Sequence, residues 1–136
     1  GQATTAQVGM MCVARYDNSG LTSYRDLLLA AADAYLETLP GAEDDVWPGT
    51  LGQVISLELA AWRHSANRDY FDCARRLGEL ALDQFWGTNA LPRASFQTAH
   101  YESRTGADTL ALALLELHLH VLHITAVRCP LNTIDR

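Results

Sequence analysis

Hydrophobic residues recur along this chain at helical spacing, in five segments of two alternating kinds. The first, third and fifth segments are apolar on nearly every side, whereas the second and fourth have one apolar face and many charges elsewhere. These segments predict helices over about 4–16, 22–38, 50–64, 67–86 and 110–125. The pattern therefore predicts an all-α fold of about five helices.

Turn-forming residues separate the predicted helices. Asp17–Gly20 predicts a turn after the first helix, and Pro40–Gly41 ends the second. An acidic and aromatic loop, 43–49, precedes the third helix, and a long irregular stretch, 87–106, precedes the fifth. The short connections make neighbouring helices antiparallel, in hairpins of an inner apolar and an outer amphipathic helix. Both long loops are then expected at the N-terminal end of the inner helices.

Length and charge limit the functions that this chain can have. Its 136 residues suit one helical domain, and a net charge of -6 argues against nucleic acid as the main partner. Cys12, Cys73 and Cys129 have no close spacing that would indicate a disulfide framework or a metal site. No apolar run reaches transmembrane length, which predicts a soluble domain with no membrane partner.

The alternation of inner and outer helices resembles part of an α/α toroid, the helical-hairpin barrel of many polysaccharide lyases and glycoside hydrolases. Its loop-to-helix junctions carry the resemblance, and they read Asp45-Val46-Trp47-Pro48-Gly49-Thr50-Leu51-Gly52 and His100-Tyr101-Glu102 leading into Gly106-Ala107-Asp108-Thr109-Leu110, with Leu59-Ala60-Ala61-Trp62-Arg63 between them. The resemblance implies that residues 1–136 are one helical domain, the C-terminal fragment of a larger toroid.

The loop before the fifth helix holds the strongest cluster of reactive side chains. In toroidal lyases, as the resemblance implies, a Tyr or His removes the proton alpha to a uronate carboxylate while an Arg or His neutralises the acid. Tyr101 or His100 would then be the base and Arg93 or Arg104 the neutralising group, with Glu102 in the same catalytic set. The alternative is that Tyr101 packs at the start of the helix, while Glu102 and Arg104 are solvated or cap it.

The loop before the third helix supplies candidate substrate-binding residues, Asp44, Asp45 and Trp47. A flat aromatic ring suits the apolar face of a sugar, and either acid could pair with Glu102 in glycoside hydrolysis. The alternative is that the acids stabilise the positive end of the helix dipole and that Trp47 closes the edge of the core.

The fifth helix offers a possible metal pattern. At about 100° per residue, Glu116, His120 and His123 share one face of the helix. Such a set could bind zinc, but histidines near a helix C-terminus are also stabilised by the dipole without a metal. No motif for a phosphate or another cofactor is present, so we expect neither a metal nor a cofactor.

Two classes of function remain open, because a fold does not decide its activity. The resemblance implies the C-terminal part of a carbohydrate-active enzyme, foremost a polysaccharide lyase on an acidic glycan, with a glycoside hydrolase as an alternative. A polysaccharide or oligosaccharide would be its substrate, and a secreted or periplasmic location would follow. The other class is a noncatalytic helical-repeat module that binds a partner protein. Uncovered inner helices would also favour self-association.

Overall fold

The computed structural model describes residues 4–41, 43–130 and 132, and in this part of the chain it contains five α-helices and no strand. The predicted all-α fold class is therefore confirmed. The helices are α1 (Thr5–Ser19), α2 (Thr22–Asp33), α3 (Pro48–Ser65), α4 (Arg68–Ala81) and α5 (Ala107–Val121). A π-helical turn, Leu82–Trp86, extends α4, and a 3₁₀ turn, Ser103–Thr105, precedes α5. None of these helices is long and apolar enough to cross a membrane.

Helix α1 extends through most of the segment predicted as a turn. The side chain of Asn18 donates to the Ala14 carbonyl at 2.8 Å, and the Ser19 hydroxyl donates to the Arg15 carbonyl at 2.7 Å. These bonds use carbonyls near the end of the helix, and the helix stops only where Gly20 adopts a left-handed φ of 68°. The predicted turn at residues 17–19 is therefore wrong, and Gly20 alone makes the break.

Helix α2 ends at Asp33, earlier than the predicted end near residue 38. Beyond Asp33 the amides of Tyr35 and Leu36 bond to carbonyls only three residues back, which forms tighter turns. The Cys73 thiol also donates to the Tyr35 carbonyl at 3.5 Å, and Arg76 donates to the Leu36 carbonyl at 2.8 Å. Local periodicity cannot show that carbonyls are used by another helix, so the predicted end was too late.

Helix α3 is the centre of the fold. All its residues from 51 to 61 are buried, and it packs against α1, α2, α4 and α5. Helices α1 and α5 are apolar too, but each keeps an uncovered side, where Met11 is 56% exposed and Leu115 is 49% exposed. Apolar composition all round thus coincides with complete burial only in α3, because only α3 has neighbours on every side.

Helices α3 and α5 run in the same direction. Gly52, near the start of α3, lies against the backbone of Leu110 near the start of α5, where a Cβ atom would be 2.7 Å from the Leu110 Cα. At the far end, the rings of Trp62 and His120 are 5.0 Å apart. The missing side chain at Gly52 allows this close approach.

The other helices fit the predicted directions. The Tyr16 ring lies 5.1 Å from the His64 ring, so the C-terminal ends of α1 and α3 are together. Arg25, near the start of α2, donates to the His64 carbonyl, and Phe71, near the start of α4, lies 4.7 Å from Trp62. These contacts are consistent with antiparallel hairpins in which α2 and α4 run opposite to α3.

Candidate functional site

The two long loops meet at the N-terminal end of α3 and α5. The Phe96 amide donates to the Val46 carbonyl at 3.1 Å, which ties one loop to the other. Gly49 and Gly106, at the starts of the two helices, are in such close contact that a Cβ on Gly106 would lie 2.6 Å from the Gly49 Cα. The expected common location of the loops is therefore present in the fold.

The predicted catalytic residues lie on the surface of this end. His100 Nε2 and Glu102 Oε1 are 2.6 Å apart, and both side chains are more than half exposed. Tyr101 is 44% exposed and Arg104 is exposed, whereas Arg93 is half-buried, with a buried Nε that has no hydrogen-bond partner among the described residues. His100 and Glu102 are thus in direct contact. Among the described residues, the side chains of Tyr101, Arg93 and Arg104 form no hydrogen bond or ion pair with either of them.

The predicted substrate-binding residues have local structural roles or are open to solvent. Asp44 accepts a hydrogen bond from the Gly41 amide at 2.7 Å and so closes a turn. Asp45 is exposed, and Trp47, 54% exposed, occupies the position just before α3. An exposed ring can stack on a ligand, but these three side chains do not enclose one by themselves.

A cavity of about 680 Å³, the C-terminal cavity, lies at the opposite end of the fold and contains several charged groups. It is lined in part by Asp17, Arg63, His64, Glu116, His120 and Cys129. Arg63 pairs with Glu116, and His64 lies 3.1 Å from Asp17. The charge of Arg63 is thus already paired within the protein, and Arg128 also lines this cavity.

The metal pattern considered for α5 does not form. Glu116 Oε1 and His120 Nε2 are 3.8 Å apart, but His123 lies beyond the helix with a left-handed φ of 57°. No group of three His, Cys, Asp or Glu residues in the described part of the chain is placed to hold a metal ion. The helix ends before the third residue of the pattern, so the predicted alignment is lost.

Cys129 lines the same cavity, but its environment suppresses thiolate chemistry. Burial and the nearby Glu116 carboxylate raise the pKa of the Cys129 thiol, against the opposing effect of Arg63. Burial lowers the pKa of the His120 imidazole, against the opposing effect of Glu116. Because the thiolate is the nucleophilic form, this arrangement is the reverse of an activated cysteine site.

Glu58 is the unusual group that the sequence interpretation passed over. It is completely buried in the middle of α3, and neither carboxyl oxygen has a hydrogen-bond partner among the described residues. Burial, with a contribution from Asp33, raises the pKa of Glu58 to about 8, and Arg76 opposes the shift. The signal was available in the sequence: Glu58 is the only acid in an otherwise apolar segment.

The neighbours of Glu58 are also perturbed. Tyr70 donates to Asp33 at 2.7 Å, and burial together with this hydrogen bond raises the pKa of Tyr70. Burial and the proximity of Glu58 raise the pKa of Cys73 to about 11. Every one of these shifts favours the protonated form of Glu58, Tyr70 or Cys73. The hydrogen bond from Tyr70 to Asp33 links α4 to α2 beside them.

A second cavity, of about 810 Å³, forms an open trough that we call the α4–α5 groove. Buried and half-buried residues form its floor: Trp62, Phe71, Gly78, Leu114 and Leu117. Its borders carry charged and histidine side chains: Arg68, Arg75, Glu79, His118 and His123. Three half-exposed apolar side chains also line it, Leu82, Leu115 and Val121. The sequence interpretation assigned no role to this surface.

The α4–α5 groove lies between two helices that touch at few points. They approach closely at Gly78, where a Cβ atom would lie 2.5 Å from Leu117 Cδ2, and otherwise share few contacts. Along α4 the lining residues extend from Arg68 to Leu82, a distance of roughly 20 Å at the helical rise per residue. This is the length of a helix of three to four turns, by the same estimate.

Comparisons with known proteins give no further assignment. No family model, no curated protein and no solved structure matches this chain, so its function is inferred from its own geometry.

Proposed function

We propose that this chain is a noncatalytic helical-hairpin module that binds a partner helix in the α4–α5 groove. The observation that carries the proposal is the uncovered apolar lining, in which Leu82, Leu115 and Val121 are each about half exposed. Contiguous apolar surface bordered by polar residues is typical of interaction sites on soluble proteins.

The groove suits a helix better than a small ligand. It is an open trough along two helices. Elsewhere in this fold a helix lies against a pair of helices in the same way: α2 packs on α1 and α3, and α4 packs on α3 and α5. Amphipathic helices bind such grooves through apolar residues at positions i, i+3 or i+4, and i+7. The polar borders would then contact the charged flanks of the bound helix.

We expect a synthetic amphipathic helical peptide, with leucines at i, i+4 and i+7 and glutamates on its flanks, to bind with a Kd in roughly the micromolar range, by analogy with other helix-in-groove contacts. Fluorescence anisotropy of the labelled peptide measures the affinity. Substituting Leu115→Arg should weaken binding about tenfold or more, since it places a charge in the apolar lining. Leu115 is 49% exposed, so this variant should remain folded.

Leu91→Arg is the matched control for this experiment. Leu91 is 56% exposed, which is close to the 49% of Leu115, but it lies in the loop before α5 and outside the groove lining. Its variant should bind the peptide as the unmodified chain does. Equal binding by the Leu115→Arg variant, or no binding of such peptides at millimolar concentration, would contradict the proposal.

A second candidate function, polysaccharide lyase activity on an acidic glycan, is favoured by one observation. The 2.6 Å contact between His100 and Glu102 lies on the loop that leads into α5, at the end where the two long loops meet. A carboxylate partner holds a histidine in one orientation, as a general base requires. Tyr101 and Arg104 are exposed beside this pair.

If this candidate is right, incubation with pectin, alginate or glycosaminoglycan should produce the ultraviolet absorbance of unsaturated uronate products. The variants His100→Ala and Tyr101→Phe should lose most of that rate, since each removes a candidate base. His118→Ala, an exposed histidine on α5 away from this loop, serves as the control. Full activity of both loop variants, or no absorbance gain on any of these substrates, would exclude the lyase assignment.

A further inference from the structure

The arginines beside the α4–α5 groove are matched by acids on α4 itself. Arg68 lies 3.6 Å from Asp72, and Arg75 lies 3.6 Å from Glu79, each pair one helical turn apart. Exposed pairs of this kind add little stability, but they give each arginine an acid on its own helix. The groove therefore selects its occupant by apolar contact, and a helix with an apolar exposed face suits it best.

Helix α5 has such a face. Throughout α5, which the structure describes completely, the exposed residues beyond the first turn carry no formal charge, and with Leu122 they fall within about 120° of the helix circumference. The exposed residues of α1, α2 and α4 instead include Arg15, Asp26 and Asp72. We call the exposed face of α5, with one half-buried leucine beside it, the α5 stripe: Ala111, Leu114, Leu115, His118, Val121 and Leu122.

The residues along this face are small at one end and large at the other. Ala107 and Ala111 lie near the start of α5, whereas His118 and Leu122 lie near its end. In an antiparallel pair of such faces about a two-fold axis, Ala111 lies opposite His118. Ala107 then lies opposite Leu122, and Leu115 lies beside the axis. Small residues opposite large ones pack closely, so the face is complementary to itself in the antiparallel direction.

We propose that the α4–α5 groove of each chain receives the α5 stripe of a second copy, in a closed dimer with two-fold symmetry. The proposal rests on the proposed function, a groove that binds a helix, and it names that helix. Leu114, Leu115, His118 and Val121 of the stripe also line the groove. One surface therefore both offers the helix and receives it, as a two-fold contact requires. The two α5 helices would lie at the centre and the two α4 helices outside them, as in a four-helix bundle.

The size of this contact predicts a weak dimer. The groove is lined by 14 residues, whereas a standard interface has about 20 to 30 residues a side and buries about 800 Å² per partner. By proportion each copy would bury roughly 450 Å², which suits a reversible contact with a Kd on the order of 10 to 100 µM. The half-exposed side chains of Leu82, Leu115 and Val121 would become covered on both copies.

Analytical ultracentrifugation of the whole chain, over concentrations that span this Kd, tests the proposal. The unmodified chain should move from the mass of one chain to that of two and stop there, because a two-fold contact leaves no free surface of the same kind. Ala111→Arg should stay monomeric, since it places a charged, bulky group against His118 of the second copy. Ala30→Arg is the matched control, because Ala30 is an exposed alanine on α2, outside the groove and the stripe, and it should leave dimerisation unchanged.

Cysteine substitutions test the antiparallel direction. A chain with Ala111→Cys and a chain with His118→Cys should form a disulfide with each other on mild oxidation, because the two positions face each other across the axis. Either variant alone should crosslink to itself much less, since the two copies of one position lie about 10 Å apart along the helices. The unmodified chain, with Cys12 and Cys73 buried and Cys129 half-buried, gives the background. Faster crosslinking of either variant to itself would overturn the proposal.

The peptide experiment separates failure of this inference from failure of the proposed function. Ala111 lies outside the groove lining, so the Ala111→Arg chain should bind the amphipathic peptide at least as tightly as the unmodified chain. A chain that binds the peptide but stays monomeric, or dimerises equally well with Ala111→Arg, has a helix-binding groove that the α5 stripe does not occupy. A chain that neither binds the peptide nor dimerises has no helix-binding groove, and both proposals are then wrong.

Discussion

The substitution Gly52→Ala should destabilise this fold by about 2 to 3 kcal/mol, as overpacking against an immovable neighbour does. A Cβ at this position would lie 2.7 Å from both the Cα and the N atom of Leu110, so α3 and α5 would have to move apart. The higher helix propensity of alanine offsets only about 1 kcal/mol of this cost. The midpoint of thermal unfolding should fall by roughly 10 °C for a chain of this size.

Urea unfolding followed by circular dichroism at 222 nm measures this effect, with Gly78→Ala as the matched control. At Gly78 a Cβ would meet side-chain ends alone, Leu117 Cδ2 at 2.5 Å and Leu114 Cδ2 at 3.5 Å, and the Leu117 side chain can change rotamer. The control should therefore cost less, about 1 kcal/mol or below. A Gly52→Ala protein as stable as the unmodified chain, or more stable than the Gly78→Ala protein, would show that α3 and α5 are not packed this closely.

The second large effect concerns Glu58 and pH. Its folded-state pKa of about 8 exceeds its ordinary value of 4.5, so the folded chain holds this proton more tightly than the unfolded chain. The resulting stability is fully present below the unfolded pKa and is lost as pH rises through the folded pKa. Between about pH 5 and pH 8 the free energy of unfolding should fall by about 1 kcal/mol per pH unit from this group.

His120 acts in the opposite direction. Burial lowers its pKa in the folded protein, so the stability linked to this histidine is lost as pH falls below its ordinary value of 6.5. The unmodified chain shows the sum of both effects. The contribution of Glu58 is therefore read from the difference between the unmodified chain and a variant without the carboxyl group.

The variant Glu58→Gln keeps the shape of the side chain and removes its titration. Its stability relative to the unmodified chain should increase from pH 5 to pH 8, measured by urea unfolding at each pH. Glu79→Gln is the control, since the Glu79 side chain is 72% exposed and should alter the pH profile little. If the Glu58→Gln difference stays constant over this range, the buried carboxyl is not protonated as the structure indicates.

Several features could be read from the sequence because they depend on local patterns. The apolar spacing located all five helices. The third and fourth helices were predicted to start at Thr50 and Asn67, and in the structure they start at Pro48 and Arg68, within two residues. The uniform apolar composition of α3 predicted its burial. These results follow from short-range rules of helix formation and amphipathicity.

The predicted ends of the helices were less accurate than their positions. In the segment 17–19 the side chains of Asn18 and Ser19 bond back to helix carbonyls. After Asp33 the chain continues in tighter turns, and Cys73 and Arg76 of α4 donate to the Tyr35 and Leu36 carbonyls there. A residue type that favours a turn can also complete a helix. Which outcome holds depends on partners that the local sequence does not contain.

The candidate site was anticipated only in part. The predicted helix directions placed the loop with His100 and the loop with Trp47 at the same end of the fold. The hydrogen bond from Phe96 to Val46 joins the two loops at that end. The sequence left solvation of Arg104 open as an alternative, but it gave no indication that Tyr101 would be exposed, because burial of a loop side chain depends on distant residues.

By itself, then, the sequence determined the number and kind of helices and the place where the loops meet, since these follow from periodicity and connection length. The tertiary structure decided which apolar helices stay uncovered, where Gly78 lets α4 approach α5, and that Glu58 has no partner in the core. The physical reason is that exposure, groove shape and a shifted pKa all depend on atoms brought together from distant parts of the chain.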